Sequence, residues 1–226
     1  MTGGMVLIMH NNKIIIVDGM PGSGKSTTAS FIAEQLSSLH INNKLFLETS
    51  SDNPLFINTP ALHSLSSEKD SEEFSSRVIS LYLNFVEEYK EKETVIIIES
   101  LIYQGIFSVA LFKGMKVNQV IALAQRIIEI LDVMNPMFIF YVQKDAEKNW
   151  RRICDIRGME FAKICGLHTD VDFQKAAQGW TYTQSLFKGL LQSWKTPSMI
   201  IENVDYAWDD YYRDIRSFLK LDQSVK

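Results

Sequence analysis

Cysteine is scarce in this 226-residue chain: Cys154 and Cys165 are the only two, and they lack CxxC spacing. That excludes a disulfide scaffold and a CxxC redox motif, and both are expected to be reduced packing residues of a cytoplasmic protein. Histidine is as sparse. His10, His40, His63 and His168 are scattered, with no ligand partner three or four residues on, so no structural metal is expected. No apolar run approaches the ~20 residues of a membrane span. Residues 6–9 are too few, and lack the preceding basic residues, for a signal peptide. There is no basic surplus either: 23 Lys and Arg stand against 27 Asp and Glu, a net charge of −4, which argues against nucleic acid as a partner. Low-complexity tracts and long polar linkers are missing. The expectation is one domain over 13–222 after a loose segment at 1–12.

What is present is a phosphate-binding loop. Gly19, four intervening residues, then Gly24, Lys25 and Ser26 match the pattern G-x-x-x-x-G-K-[ST]. An apolar β-branched run at 14–17 precedes it, and Ala29, Ile32, Ala33, Leu36 and Leu39 follow at helical spacing, so the loop joins a buried strand to a helix. Gly19, Gly22 and Gly24 let the backbone turn its N–H groups inward on a phosphate, and the helix N-terminus adds its own donors. Ser23 lies within this cradle. Lys25 is the cation for the β- and γ-phosphates of a nucleoside triphosphate, the Ser26 hydroxyl is placed to ligate Mg²⁺, and Thr27 and Thr28 are expected around the α-phosphate.

Further along, residues 44–47 predict a second strand ending at Glu48. A polar stretch broken by Pro54 and Pro60 predicts a substrate loop over 49–66. Phe74, Val78, Leu81, Phe85 and Tyr89 predict a long amphipathic helix over 68–92. Residues 94–98 predict a strand ending in Glu99, and 101–112 and 117–134 two helices, the second apolar almost all round. Such a helix is normally buried in a core or an interface, so a homodimer is one expectation it raises. A strand at 137–142, a helix at 145–157 carrying Arg151, Arg152 and Arg157, a helix from Phe173 to Trp194, a strand at 198–201 and a closing helix complete the chain. Five alternations predict a three-layer α/β/α fold on a parallel sheet, with ligands at the carboxyl ends of the strands, where Gly19, Glu48 and Glu99 lie.

Two carboxylates beside a phosphate cradle suggest phosphoryl transfer. Glu48 is the candidate base, and Glu99 is the candidate magnesium ligand or acceptor contact. Arg152 and Arg157 are candidates to close over the nucleotide, Arg151 is read as part of an exposed face, and Arg77 is a weaker candidate for acceptor contact.

The segment Ile16-Val-Asp-Gly-Met-Pro-Gly-Ser-Gly-Lys-Ser-Thr27 resembles the opening of the nucleoside and nucleotide kinase branch of P-loop proteins, which includes thymidylate kinases and deoxynucleoside kinases. Glu48, the Ile-Ile-Ile-Glu-Ser at 96–100 and the Trp-Arg-Arg-Ile-Cys-Asp-Ile-Arg at 150–157 fit that layout. The resemblance extends loosely to small-molecule O-phosphotransferases. It implies a five-stranded parallel sheet, ATP as donor, Mg²⁺, and a lid around 151–170 whose arginines clamp the nucleotide. The chain departs from both kinase groups where they characteristically place an arginine beside the acidic residue after the third strand: here stand Ser100 and Leu101. A phosphorylated acceptor thereby loses a partner, and an acceptor presenting an uncharged hydroxyl gains weight, with Gln104 placed to hydrogen-bond it. Two other readings stand beside a kinase. One is a nucleotide-hydrolysing switch, against which no Asn-Lys-x-Asp motif occurs. The other is a non-catalytic nucleotide-binding regulator that docks through its apolar helix.

Overall fold

The computed structural model describes residues 13–58 and 62–221; the expected loose segment 1–12, Pro60 and the expected domain end at 222 lie outside them. The strands are β1 (Ile14–Gly19), β2 (Asn43–Phe46), β3 (Val95–Glu99), β4 (Pro136–Gln143) and β5 (Ser198–Asn203). They make one parallel sheet in the order β2-β3-β1-β4-β5. The helices are α1 (Lys25–Ser38), α2 (Glu68–Tyr89), α3 (Val109–Phe112), α4 (Val117–Leu131), α5 (Ala146–Arg157), α6 (Met159–Ile164), α7 (Asp170–Ser193) and α8 (Trp208–Phe218).

The two faces of the sheet follow from the period-two geometry of a strand. Ile14 and Ile16 of β1, with Ile96, Ile98, Phe138 and Phe140, pack under α2, α4 and α7. Ile15 and Val17, with Ile97 and Ile139, pack under α1 and α8. Residues 14–17 are fully buried, at about 1.5–3 kcal/mol for each such side chain. With both faces apolar, β1 is anchored at the centre of the sheet, and the loop that leaves its carboxyl end is held on a rigid base.

Three expectations change. Residues 101–112 do not form one α-helix; Tyr103–Ser108 is a π-helical turn leading into α3. The Asp18 carboxylate takes the amides of Ile102, Tyr103 and Gln104, and the Phe107 N–H reaches back to the Ile102 carbonyl at 2.8 Å, which widens the turn. The apolar residues of α4, among them Val120, Leu123, Ile127 and Leu131, are buried in the core, so the feature that suggested a homodimer or a docking surface is used by the monomer itself. Cys154 packs as expected, but Cys165 is exposed and lines a cavity described below. Among the described residues no helix is long and apolar enough to cross a membrane.

Candidate active site

Between β1 and α1 the chain turns tightly through its glycines. A Cβ on Gly19 would meet the Tyr141 carbonyl oxygen at 2.8 Å. Gly24 has φ +97°, and a Cβ there would overlap the ring of Trp208; only glycine serves at such a position. Gly22, Gly24, Lys25, Ser26 and Thr27 line a cavity of about 420 Å³. Lys25 is only 4% exposed, and its Nζ donates to the Met20 carbonyl at 3.1 Å. Burial pushes its pKa down, opposed by the charges of Glu99, Glu48 and Asp18. Ser23 is placed differently from the rest of the loop: its side chain is fully buried with Oγ unpartnered, and its N–H donates to the Met20 carbonyl at 3.2 Å. Thr28 also turns away, sharing a 2.7 Å hydrogen bond with the Tyr141 hydroxyl in the interior, because helical periodicity places it on the buried face of α1.

Glu48 and Glu99 come together beside the loop through the Glu48 backbone. The Ser26 hydroxyl donates to Glu99 Oε1 at 2.7 Å, and the Glu48 backbone N–H donates to Glu99 Oε2 at 3.1 Å. Gln104 Nε2 lies 2.9 Å from both oxygens of the Glu48 carboxylate, while Gln104 Oε1 is buried without a partner. Among the described residues no group of three or more His, Cys, Asp or Glu is placed to hold a metal ion. Magnesium does not need one, since it commonly binds through one or two protein oxygens plus phosphates and water. The adjoining hydroxyl of Ser26 and carboxylate of Glu99 are a hard-oxygen donor set that fits it.

The arginines separate by role. Arg152 lies with its guanidinium 4.0 Å above the Tyr206 ring, and Arg157, the last residue of α5, lies 4.9 Å above Phe161; both line the loop cavity. Arg151 bridges Glu147 at 2.7 Å and Asp170 at 2.9 Å, tying α5 to the start of α7. Arg77 is exposed on α2 and lines neither cavity. Four contributors escape a sequence reading. Asn203 and Asn149 hold the loop through the carbonyls of Ser23, at 3.4 Å, and Pro21, at 2.8 Å. Trp208 walls the loop cavity beside Gly24, and Tyr206 lies beneath Arg152. Their one visible signal is the aromatic cluster Tyr206, Trp208, Tyr211 and Tyr212 directly after the last strand.

A second cavity, of about 520 Å³, opens on the other side of the carboxylates. Its walls are largely apolar and aromatic, with Phe56, Trp150, Phe161 and Trp180 prominent, and among the described residues its single lining cation is Arg157. The two cavities share Pro21, Glu48, Thr49, Glu99, Gln104 and Arg157.

No protein-family model matches the chain, and no curated protein matches its sequence. Solved structures do match in three dimensions. Thymidylate kinase from Ehrlichia chaffeensis is 15% identical at a TM-score of 0.54, covering 92% of this chain and 98% of that one. Deoxyadenosine kinase from M. mycoides, solved with bound dATP, is 15% identical at 0.52, covering 90% and 99%. Thymidylate kinase from Candida albicans is 16% identical at 0.51, covering 93% of each. At these identities the likeness is one of fold: a five-stranded parallel sheet covered by helices on both faces, as in these thymidylate and deoxyadenosine kinases.

Proposed function

We propose that this chain transfers the terminal phosphoryl group of ATP, with Mg²⁺, to a hydroxyl of a small uncharged acceptor, nucleoside-like or another metabolite. The observation that carries the reading is the meeting of two cavities at Glu48, Glu99 and Arg157. One has the residues of a triphosphate site. The other has the apolar and aromatic walls of a small-molecule site.

On the donor side, the backbone N–H groups of the loop and Lys25 hold the phosphates, and Arg152 and Arg157 approach from α5 to balance charge on the transferred group. Arg152 and Tyr206, with Trp208 nearby, offer flat faces for the base. Ser26 and Glu99 would hold Mg²⁺, which when bound would supply charge neutralisation for the phosphates. On the acceptor side, Glu48 takes the hydroxyl proton as the new O–P bond forms and the donor's bridging P–O bond breaks, its electron pair leaving on ADP. Because Arg157 lines both cavities, the acceptor cavity has, among the described residues, no cation of its own for a phosphate, and a neutral acceptor fits it better.

The test is ADP release with and without a panel of nucleosides and other hydroxyl compounds. Acceptor-stimulated release supports the kinase. Constant basal hydrolysis supports a switch instead, and tight ATP binding without turnover supports a regulator.

A further inference from the structure

Asp18 is a buried carboxylate to which the chemistry above gives no part. It occupies the next-to-last position of β1 and is fully buried. Its Oδ1 accepts from the N–H groups of Gly19 at 2.9 Å and Gln104 at 3.1 Å; its Oδ2 accepts from Ile102 at 2.8 Å and Tyr103 at 2.7 Å. Three consecutive amides of the turn after β3 thus converge on one side chain from β1. The turn is otherwise forced: Ser100 has φ +60°, and a Cβ on Gly105 would meet the Ser100 carbonyl oxygen at 2.8 Å. An isolated buried carboxylate is costly, and four charge-assisted hydrogen bonds are what offset that cost here. The charged and titratable neighbours that feel its charge are Lys25 from α1, Tyr82 from α2 and Tyr103 from the turn itself.

The last amide in the set belongs to Gln104, whose side chain reaches both oxygens of Glu48. We infer that Asp18 is a positioning residue for the acceptor side of the site: through the amides of residues 102–104 it aims the Gln104 carboxamide at Glu48 and into the acceptor cavity. The inference rests on the proposed function only for the meaning of that cavity. The mechanical link itself can be tested without an acceptor.

Asp18→Asn keeps the shape but turns an NH₂ group toward N–H donors, so one pair of the four hydrogen bonds is lost. Hydrogen exchange of the full-length variant should show the amides of the lost pair, Ile102 with Tyr103 or Gln104 with Gly19, exchanging about tenfold faster or more, with those of β3 unchanged. Affinity for Mg·ATP by calorimetry should stay within about threefold. Unchanged exchange at 102–104 overturns the inference. Should the variant not fold, the unaltered protein answers the same question by NMR: the three amide signals should shift together with one midpoint between about pH 4 and pH 8, and the absence of a shared midpoint overturns it. Once an acceptor is found, Asp18→Asn and Gln104→Ala should raise its KM by similar factors, the double variant raising it no further; additive effects overturn the link. A protein with no phosphoryl transfer but with these exchange changes would sink the kinase reading and leave Asp18 in place.

Discussion

Ser26 and Glu99, separated by 73 positions in the chain, are joined side chain to side chain at 2.7 Å. This contact ties the first turn of α1 to the carboxyl end of β3, and the β1–β3 pairing of Val17 with Glu99 sets its register. It brings a hydroxyl and a carboxylate together beside the loop, at the place proposed above for magnesium. Glu99→Gln preserves the shape and removes the charge. The magnesium concentration needed for half-maximal turnover should rise by at least about tenfold, the scale seen when a metal site loses a supporting group; turnover measured against free magnesium checks this.

Lys25→Ala should raise the dissociation constant for ATP by about 100-fold or more, a loss of about 2.7 kcal/mol, with the thermal midpoint retained. The ammonium group is buried beside the loop cavity, where burial disfavours its charge, so its removal should cost the empty fold little. Calorimetry with Mg·ATP and a melting curve give both quantities. Wild-type affinity would remove the loop from the mechanism.

Glu48→Gln should retain ATP affinity and lose about 10²–10⁴-fold in acceptor-stimulated rate, the range for removal of a general base. An unchanged rate transfers the role to Glu99, which lines the same pair of cavities.

Gly24→Ala should destabilise the fold by at least about 2 kcal/mol, from a left-handed φ and from overlap with Trp208. Adding Trp208→Ala should recover the overlap but not the backbone strain. Denaturation midpoints of the wild type, both single variants and the double variant separate the two parts.

Burial raises the Asp18 pKa from 3.8 to about 6, against the lowering effects of Lys25 and the backbone hydrogen bonds. A folded-state pKa above the unfolded value means that the native state holds its proton longer, so stability contributed by the protonated form is full below pH 3.8 and is lost as pH rises through about 6. Relative to Asp18→Asn, the wild type should therefore lose about 3 kcal/mol between acid and neutral pH. Denaturant unfolding of both proteins across that range checks it, and a pH-independent difference would contradict the shift.

The sequence determined by itself what depends on local pattern. Ile14 to Val17 followed by Gly-x-x-x-x-Gly-Lys-Ser, with Ala29, Ile32 and Leu36 at helical spacing, announced a strand, a glycine-rich loop and a helix, and the alternation of strands and helices announced the parallel sheet. Glu48 and Glu99 were legible as residues at strand ends. Tertiary structure decided the rest, because register and facing between distant elements are set by packing and leave no periodic trace. It alone brought Gln104 to Glu48, seated Trp208 against Gly24 and placed Tyr206 under Arg152. It also turned Thr28 inward, buried the apolar face of α4 in the core and drew the amides of 102–104 onto Asp18, a carboxylate whose neighbours in the strand gave it no visible partner.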